Sequence, residues 1–170
     1  MAAVEAIIAL GSNVGDAREN VLHAARLLQQ FSRTPVLRSS LWRTAPVNCP
    51  PGSPEFVNAV ALIQPCEGET PETLLGKLQE LERAFGRKPK ILLNEPRPLD
   101  LDLVVFGTEV RATDRLSLPH PRAAARRFVL APLCELVPEL VLPGQSQTVA
   151  ELLRLSPQDG FLQRLTEPHD

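Results

Sequence analysis

Cysteine is scarce in this chain of 170 residues, and its spacing argues against two common uses. Cys49, Cys66 and Cys134 lie far apart, are odd in number, and form no C-x-x-C pair. This arrangement disfavours both a disulfide framework and a zinc site. No paired histidine is suggested for any of the three, so we expect no cysteine nucleophile.

The chain also lacks long apolar runs and an excess of positive charge. The N-terminal apolar run, Ala6 to Leu10, is too short for a signal peptide or a membrane span, and no basic residues precede it. The net charge is -2, whereas a dedicated nucleic-acid binder is usually basic. We therefore expect a single domain over residues 1–170, present as a cytoplasmic monomer that binds neither nucleic acid nor a membrane.

The hydrophobic pattern predicts strands and helices in the order of a split βαβ unit. We expect strands at Ala3–Leu10, Val36–Arg43, Phe56–Ile63 and Asp100–Phe106, and helices near residues 16–31, 71–85, 123–135 and after Thr148. The order strand–helix–strand–strand–helix–strand is typical of a ferredoxin-like α+β sandwich. Such a fold has a mainly antiparallel sheet with helices packed on it, and two helices would cover one face.

Short motifs predict where several of these elements begin and end. Asp16 with Glu19 is typical of a helix cap, and Pro71 after Thr70 suits a helix start. Gly86 would end that helix, and Gly107-Thr108 suggests a hairpin turn leading to Val110. The glycine turn from Gly11 to Gly15 lacks the lysine of a P-loop, so we interpret it as a structural turn.

Two carboxylates two residues apart, Asp100 and Asp102, stand in an apolar, strand-forming run. Because side chains alternate along a strand, both carboxylates point to one face, and the leucines between and beside them point to the other. Two like charges side by side are costly unless a cation lies between them, and Mg²⁺ prefers such oxygen ligands.

A D-x-D pair can also be a solvated strand edge, because acidic residues are mostly exposed. Here the pair follows Arg97, whose guanidinium suits phosphate, and leads into the apolar run Leu103–Phe106. Carboxylates for a metal beside arginine for phosphate favour phosphoryl-transfer chemistry over the structural interpretation. Downstream, His120 lies between two prolines with Arg126 close in sequence, although such a histidine is more often a hydrogen-bonding residue.

Several motifs together resemble one family, 6-hydroxymethyl-7,8-dihydropterin pyrophosphokinase of the folate pathway. Residues 97–102 resemble its P-R-x-x-D-x-D signature, and residues 9–13 its N-terminal G-S-N turn. Residues 42–46 resemble its aromatic-R-T-x-P segment, and residues 56–59 its aromatic-x-N-A strand. Segments 118–120 and 126–128 resemble its P-H and R-x-F motifs. The motifs occur in the family's order over most of the chain.

The resemblance implies an activity and a set of site residues. Members move pyrophosphate from ATP to the hydroxymethyl oxygen of the pterin and release AMP. By resemblance, Asp100 and Asp102 hold two Mg²⁺ ions, and the basic loop 87–98 is a mobile lid. The residues implied at the phosphates are Arg87, Arg97, His120 and Arg126; around the nucleotide they are Gln79, Glu82, Leu103, Arg115 and Ser117; at the pterin they are Thr44, Ala45, Val47, Phe56, Asn58 and Phe128.

The implied pterin residues make chemical sense, since Phe56 and Phe128 can enclose a flat heterocycle and Asn58 can donate and accept at its edge. No residue is identified as a separate general base, and a proton relay through Asp102 is our hypothesis. Two alternatives stay open: a D-x-D glycosyltransferase, which would release a nucleoside diphosphate, and a silent binding domain without turnover. The short chain disfavours the first, and the retained acidic pair disfavours the second.

Overall fold

A computed structural model describes residues 5–45, 51–86, 98–158 and 160–166. Its strands are β1 (Ala6–Ser12), β2 (Leu37–Arg38), β3 (Trp42–Thr44), β4 (Phe56–Ile63), β5 (Asp100–Phe106), β6 (Arg111–Ala112), β7 (Ser117–Leu118) and β8 (Leu162–Arg164). Its α-helices are α1 (Ala17–Leu27), α2 (Pro71–Ala84), α3 (Arg127–Leu136) and α4 (Val149–Leu155), and short 3₁₀ turns occupy Leu28–Phe31 and Ala123–Ala125.

The strands form one antiparallel sheet and a separate small hairpin. The sheet has the order β5–β1–β4–β3–β8, and β2 pairs with a further part of β4. The hairpin joins β6 to β7. Strand β5 therefore lies at one edge of the sheet within the described residues, with β1 as its neighbour.

One face of the sheet packs against α1 and α2. Alternate residues of β1 and of the edge strand β5 supply this layer, such as Ile8 and Leu10 from β1 and Leu101 and Leu103 from β5. The helices contribute apolar stripes that are fully buried, Leu78 of α2 among them. The predicted α+β ferredoxin-like sandwich, with two helices on one face of a mainly antiparallel sheet, is confirmed.

The opposite face of the sheet packs against α3 and α4. Ile7, Val60 and Leu62 point to this side and belong to one buried apolar cluster with Leu130 of α3 and Val149 of α4. Since α3 and α4 cover only part of this face, the end near Asp100 carries polar side chains instead of a continuous apolar layer. No helix in the described part of the chain combines the length and the apolar character needed to cross a membrane.

The helix caps largely follow the predictions. Asp16 accepts from the backbone N–H of Glu19, and Thr70 and Thr148 each form a reciprocal capping box. Gly86 follows α2 with φ of 95°, a conformation that glycine adopts without strain. The Asp16 cap is not a full box, because the Glu19 side chain pairs with Arg26 instead.

Four predicted boundaries are wrong, each for a reason of pairing or backbone geometry. Strand β1 runs through Gly11 and Ser12, because both pair with β4. The turn that follows is therefore shorter than the predicted turn from Gly11 to Gly15. The strand predicted at residues 36–43 is split into β2 and β3, with Ser39 between them bonded to Val60. The helix predicted from Ala123 is interrupted at Arg126, whose backbone is extended. The hairpin joins β6 to β7 and does not begin at the turn after β5.

Candidate active site

The strand register brings carboxylates and an amide onto one sheet face. Asp100 of β5 lies opposite Gly11 of β1, and Gly11 lies opposite Asn58 of β4. Asp102 is opposite Ala9 in the same way. Paired residues on neighbouring strands share a face, so this row lies on the α3 side of the sheet. The middle strand has only the small residues Ala9 and Gly11 here.

The two carboxylates are held by a strand whose other face is buried. Leu101 and Leu103 are 4% and 3% exposed, whereas Asp100 and Asp102 are half-buried and reach solvent. Two residues along a strand place the carboxylate-bearing backbone positions roughly 7 Å apart. The free edge of β5 is also fixed, because the Leu101 backbone N–H donates to the Glu82 carboxylate of α2 at 2.8 Å.

The donor set suits a hard divalent cation that also binds a ligand. Two carboxylates that face one way, each partly exposed, offer oxygen atoms of the kind that Mg²⁺ prefers. The described residues contain no cluster of three or more histidine, cysteine, aspartate or glutamate side chains that could hold a metal. Since Mg²⁺ commonly takes one or two carboxylates together with substrate phosphates and water, two carboxylates are enough for such a site.

Asn58 and Thr44 form a buried polar pair beside this row. The Asn58 amide nitrogen donates to the Thr44 hydroxyl at 2.8 Å, and the two residues are 5% and 6% exposed. This bond also fixes the amide orientation, because the nitrogen is the donor. A Cβ atom on Gly11 would lie 2.9 Å from the Asn58 amide oxygen. Glycine at this position therefore leaves the amide room in the sheet face.

Two phenylalanines lie on the same side of the sheet. Phe56 is opposite Thr44 on the α3 side and is partly exposed. Phe128, in the first turn of α3, packs against the apolar cluster between the sheet and α3 and stays partly exposed. The Arg126 guanidinium lies 5.4 Å from the Phe128 ring centroid, which suits a cation–π contact. The structure thus brings Thr44, Phe56 and Asn58 together on the sheet and places Phe128 on the helix that covers this face.

His120 lies at the outer edge of β5, where its backbone N–H donates to the Val104 carbonyl at 2.8 Å. Its Nδ1 accepts from the Arg122 backbone N–H at 3.3 Å, so the neutral imidazole carries its proton on Nε2. Burial lowers the pKa of His120, and the positive charges of Arg126 and Arg122 lower it further, while Asp100 opposes them. The free protein therefore favours a neutral imidazole that can donate from Nε2.

A cavity of about 270 Å³ opens around the free edge of β5. It lies between α2 and the hairpin and is lined from these elements by Leu75, Leu101, Asp102, Leu103, Thr113, Asp114, Arg115, Leu116, Ser117, His120, Pro121 and Arg122. Four residues predicted at the nucleotide or phosphates, namely Leu103, Arg115, Ser117 and His120, therefore share one cavity with Asp102. Gln79 and Glu82 of α2 are not among the lining residues, although the Glu82 carboxylate accepts from the backbone N–H of Leu101, which does line the cavity.

Several predicted site residues lie outside the described residues. These are Arg87, Arg97 and Val47, together with the predicted lid. Ala45 is described and follows β3, and its backbone N–H donates weakly to the Phe161 carbonyl at 3.4 Å. The metal, phosphate and pterin roles of all these residues stay predictions.

Four residues at or beside the site were missed or assigned no part in it. Gly11 was interpreted only as a turn residue, although a glycine in a strand often marks the close approach of another group, here the Asn58 amide. Asp114 was not predicted at the site and lines the cavity. Trp42 lies opposite Asn58, and its indole N–H donates to Glu135 of α3. No local pattern indicates the pair, since the two residues are 93 positions apart in the chain.

Comparison with known proteins identifies a family that matches most of the chain. Residues 7–138 match the family described as 7,8-dihydro-6-hydroxymethylpterin-pyrophosphokinase (HPPK). The Haemophilus influenzae 2-amino-4-hydroxy-6-hydroxymethyldihydropteridine pyrophosphokinase is 38% identical over 152 residues, which cover 89% of this chain and 92% of that protein. The Arabidopsis thaliana folate synthesis bifunctional protein is 39% identical over 78% of the chain. The match spans only 27% of that longer relative.

Comparison of structures agrees with the fold. A solved structure titled as HPPK-DHPS in complex with substrates matches with a TM-score of 0.68 over 91% of this chain and 43% of that chain. The sequence identity in this match is 11%, so it supports the architecture and carries no argument about individual residues.

Proposed function

The chain belongs to the 7,8-dihydro-6-hydroxymethylpterin-pyrophosphokinase family, a family of transferases, and we propose that it moves pyrophosphate from ATP to the hydroxymethyl oxygen of 6-hydroxymethyl-7,8-dihydropterin. In this reaction the pterin oxygen bonds to the β-phosphorus, the bond between that phosphorus and the α-phosphate oxygen breaks, and AMP leaves. One observation carries the proposal: Asp100 and Asp102 share a sheet face with the Asn58–Thr44 pair, and only small residues lie between them.

The spacing of these groups suits the two substrates. Strands β5 and β4 are separated by β1 alone, so the backbone positions of Asp100 and Asn58 stand about 9.5 Å apart across the sheet. A flat two-ring heterocycle bound at Asn58 would direct a substituent on its far side toward the carboxylates. The proposed reaction needs the hydroxymethyl group at that position, next to the phosphates.

The pterin would lie between the two phenylalanines, Phe56 on the sheet and Phe128 on α3. Its rings would stack there, and its amide-like edge would bond to Asn58, which is buried and already oriented by Thr44. Ala45 and Val47 would complete the pocket beyond β3. A buried amide that is fixed in orientation discriminates well, because a ligand without the matching edge leaves it unpaired.

The nucleotide would occupy the cavity at the free edge of β5. Since the Leu101 backbone N–H points outward to Glu82, strand alternation also turns the backbone N–H of Leu103 outward, where it can bond to a base; the register with β1 shifts only beyond this residue. Arg115 and Ser117 of the hairpin region would contact the sugar and phosphates, with Gln79 and Glu82 on the α2 side. The phosphates would then extend along β5 toward Asp102.

The phosphates would meet charge of both signs where β5 begins. Asp100 and Asp102 would hold two Mg²⁺ ions, which when bound neutralise and align the phosphate oxygens. Arg87, Arg97 and Arg126 would contact oxygens that keep or gain charge during transfer, and His120 would donate from Nε2. The strand positions between the carboxylates and Asn58 are Ala9 and Gly11, which offer no base, so a proton relay through Asp102 stays our hypothesis for the hydroxyl proton.

The test is a turnover assay with ATP, Mg²⁺ and 6-hydroxymethyl-7,8-dihydropterin that separates AMP from ADP. We expect pterin-dependent AMP that EDTA abolishes and that Asp100→Asn or Asp102→Asn lowers by about a thousandfold, since both remove charge stabilisation of the transition state. Glu80→Gln on the exposed side of α2 removes a carboxylate away from the site and serves as the control. Release of ADP, or turnover that survives both aspartate changes, would refute the proposal.

A folded protein that binds the pterin but forms no AMP would instead support a silent binding domain. Residues 1–170 acting as a single domain, the monomeric state and the cytoplasmic location stay predictions from the sequence.

A further inference from the structure

Glu135, near the end of α3, links the covering helix to the strand that carries Thr44. Its carboxylate accepts from the Trp42 indole N–H and from the Ser40 backbone N–H, the latter at 3.3 Å. Trp42 begins β3 and Ser40 lies two residues before it, whereas Glu135 belongs to the layer above the sheet. One side chain thus bridges the two layers between which the pterin is proposed to bind.

On the sheet side, the bridge is close to the buried amide. Trp42 is paired with Asn58, and Thr44 follows Trp42 by two residues on the same face. Strand β3 has only three residues and is held in the plane of the sheet by β4 and β8. The bond to Glu135 adds a restraint perpendicular to that plane, which backbone pairing does not supply.

On the helix side, the bridge shares a face with Phe128. Glu135 follows Phe128 by seven residues, which is two turns, so both side chains leave α3 toward the sheet. Pro132 lies inside α3 and removes one backbone hydrogen bond, but the helix is continuous from Arg127 to Leu136, so a contact at residue 135 also restrains the height of Phe128 above the sheet. The gap between Phe128 and the sheet is therefore fixed at one end by Glu135.

The bonds of Glu135 are exposed, and exposed hydrogen bonds add little to the free energy of unfolding. Their geometric effect is different, because a small shift of a positioning group can greatly weaken binding and transfer. We propose that Glu135 is a positioning residue for the pterin, acting through Trp42 to hold Thr44 and Asn58 at a fixed distance from Phe128. This inference rests on the proposed pterin function.

The experiment compares Glu135→Ala, Glu135→Gln and Trp42→Phe with the unchanged protein. We expect Glu135→Ala to raise the KM for the pterin by about tenfold, equivalent to about 1.4 kcal/mol, while the KM for ATP changes less than about twofold. Glu135→Gln keeps an oxygen acceptor and should restore most of the loss. Trp42→Phe removes the indole donor but leaves the bond from the Ser40 N–H, so it should raise the pterin KM by no more than Glu135→Ala does, and the double variant should be no worse than Glu135→Ala.

The control is Glu139→Ala, three residues after α3 and exposed, which removes a carboxylate of the same charge without removing the link to β3. We expect both KM values to stay at the level of the unchanged protein. Glu135→Ala with an unchanged pterin KM, equal increases in the two KM values, or additive effects in the double variant would each overturn the inference.

Calorimetric titration of the pterin, with Mg²⁺ and a non-hydrolysable ATP analogue present, separates this inference from the proposed function. The unchanged protein failing to release AMP would refute the proposed reaction, yet the affinities of the same variants would still test positioning. Weaker pterin binding in Glu135→Ala, restored in Glu135→Gln, supports it, and equal affinities in all variants refute it. Trp42→Phe provides the same comparison if Glu135→Ala does not fold.

Discussion

Replacing Gly11 tests whether the position of the Asn58 amide depends on glycine beside it, because the two residues approach each other closely. A Cβ atom there would lie 2.9 Å from the Asn58 amide oxygen and 3.8 Å from the Phe56 ring. The first distance is well inside van der Waals contact, so Gly11→Ala forces Asn58 to move. The amide cannot move freely, since its nitrogen is bonded to Thr44 in a buried position.

The expected cost follows from these two contacts. Weakening a buried hydrogen bond costs about 1–3 kcal/mol, and overpacking costs a similar amount, so Gly11→Ala should lower the free energy of unfolding by about 2–6 kcal/mol. The displaced amide should also raise the KM for the pterin by about tenfold or more, because the Asn58 side chain then no longer aligns with the amide-like edge of the pterin. The KM for ATP should change little, because Asn58 lies two strands away from the cavity.

Gly76 in α2 provides the matched control. The same change to alanine places a Cβ 3.7 Å from an Arg115 nitrogen, an ordinary contact. Alanine is the better helix former, so Gly76→Ala should raise the free energy of unfolding by about 0.5–1 kcal/mol. Urea unfolding with an unchanged m-value measures both variants. If Gly11→Ala is as stable as the unchanged protein and binds the pterin equally well, the argument from the 2.9 Å distance is wrong.

Three further predictions concern the titration of His120 and the stability of α2. Burial, together with Arg126 and Arg122, lowers the pKa of His120 below its usual 6.5, and Asp100 only partly opposes this, so proton NMR should show the imidazole titrating with a midpoint below pH 6.5 in the free protein. The unfolded chain then binds the proton more readily than the folded one, so the free energy of unfolding should rise with pH just below 6.5 and level off above it; urea titrations in which His120→Asn keeps the full slope would contradict this. Leu78→Ala should lower the free energy of unfolding by about 2–5 kcal/mol, because Leu78 is fully buried between α2 and the sheet, and urea unfolding that shows a loss below about 1 kcal/mol would contradict the packing. Thr70→Ala should cost about 0.5–2 kcal/mol through the lost capping box, whereas Thr70→Ser should keep most of the stability in the same assay.

The sequence predicts the elements well where a local pattern decides them. The alternation around Asp100 and Asp102 places both carboxylates on one face, and the cap at Thr70 starts α2. These features depend on neighbours within a few residues, so a short window contains the physical cause. The order of the elements then suffices for the fold class, since few topologies accommodate it.

The errors occur where a distant partner decides the structure. Gly11 has a turn-like local sequence, yet it is a strand residue because Asn58 pairs with it from 47 residues away. The break between β2 and β3 is equally non-local, since Ser39 bonds to Val60 on both its backbone and its side chain. The bond between Trp42 and Glu135 joins two layers that no sequence window contains.

The position of the carboxylates on a strand also explains how the fold tolerates them. Two like charges on one face disfavour the folded state, and a flexible loop would relieve this by separating them. On β5 they cannot separate, because Leu99, Leu101 and Leu103 are buried on the opposite face and the Leu101 N–H is bonded to Glu82. Apolar burial therefore offsets the repulsion and keeps the oxygen atoms preorganised for a cation. Glu82 therefore supports the proposed metal site through the backbone of β5, even where it does not contact the nucleotide.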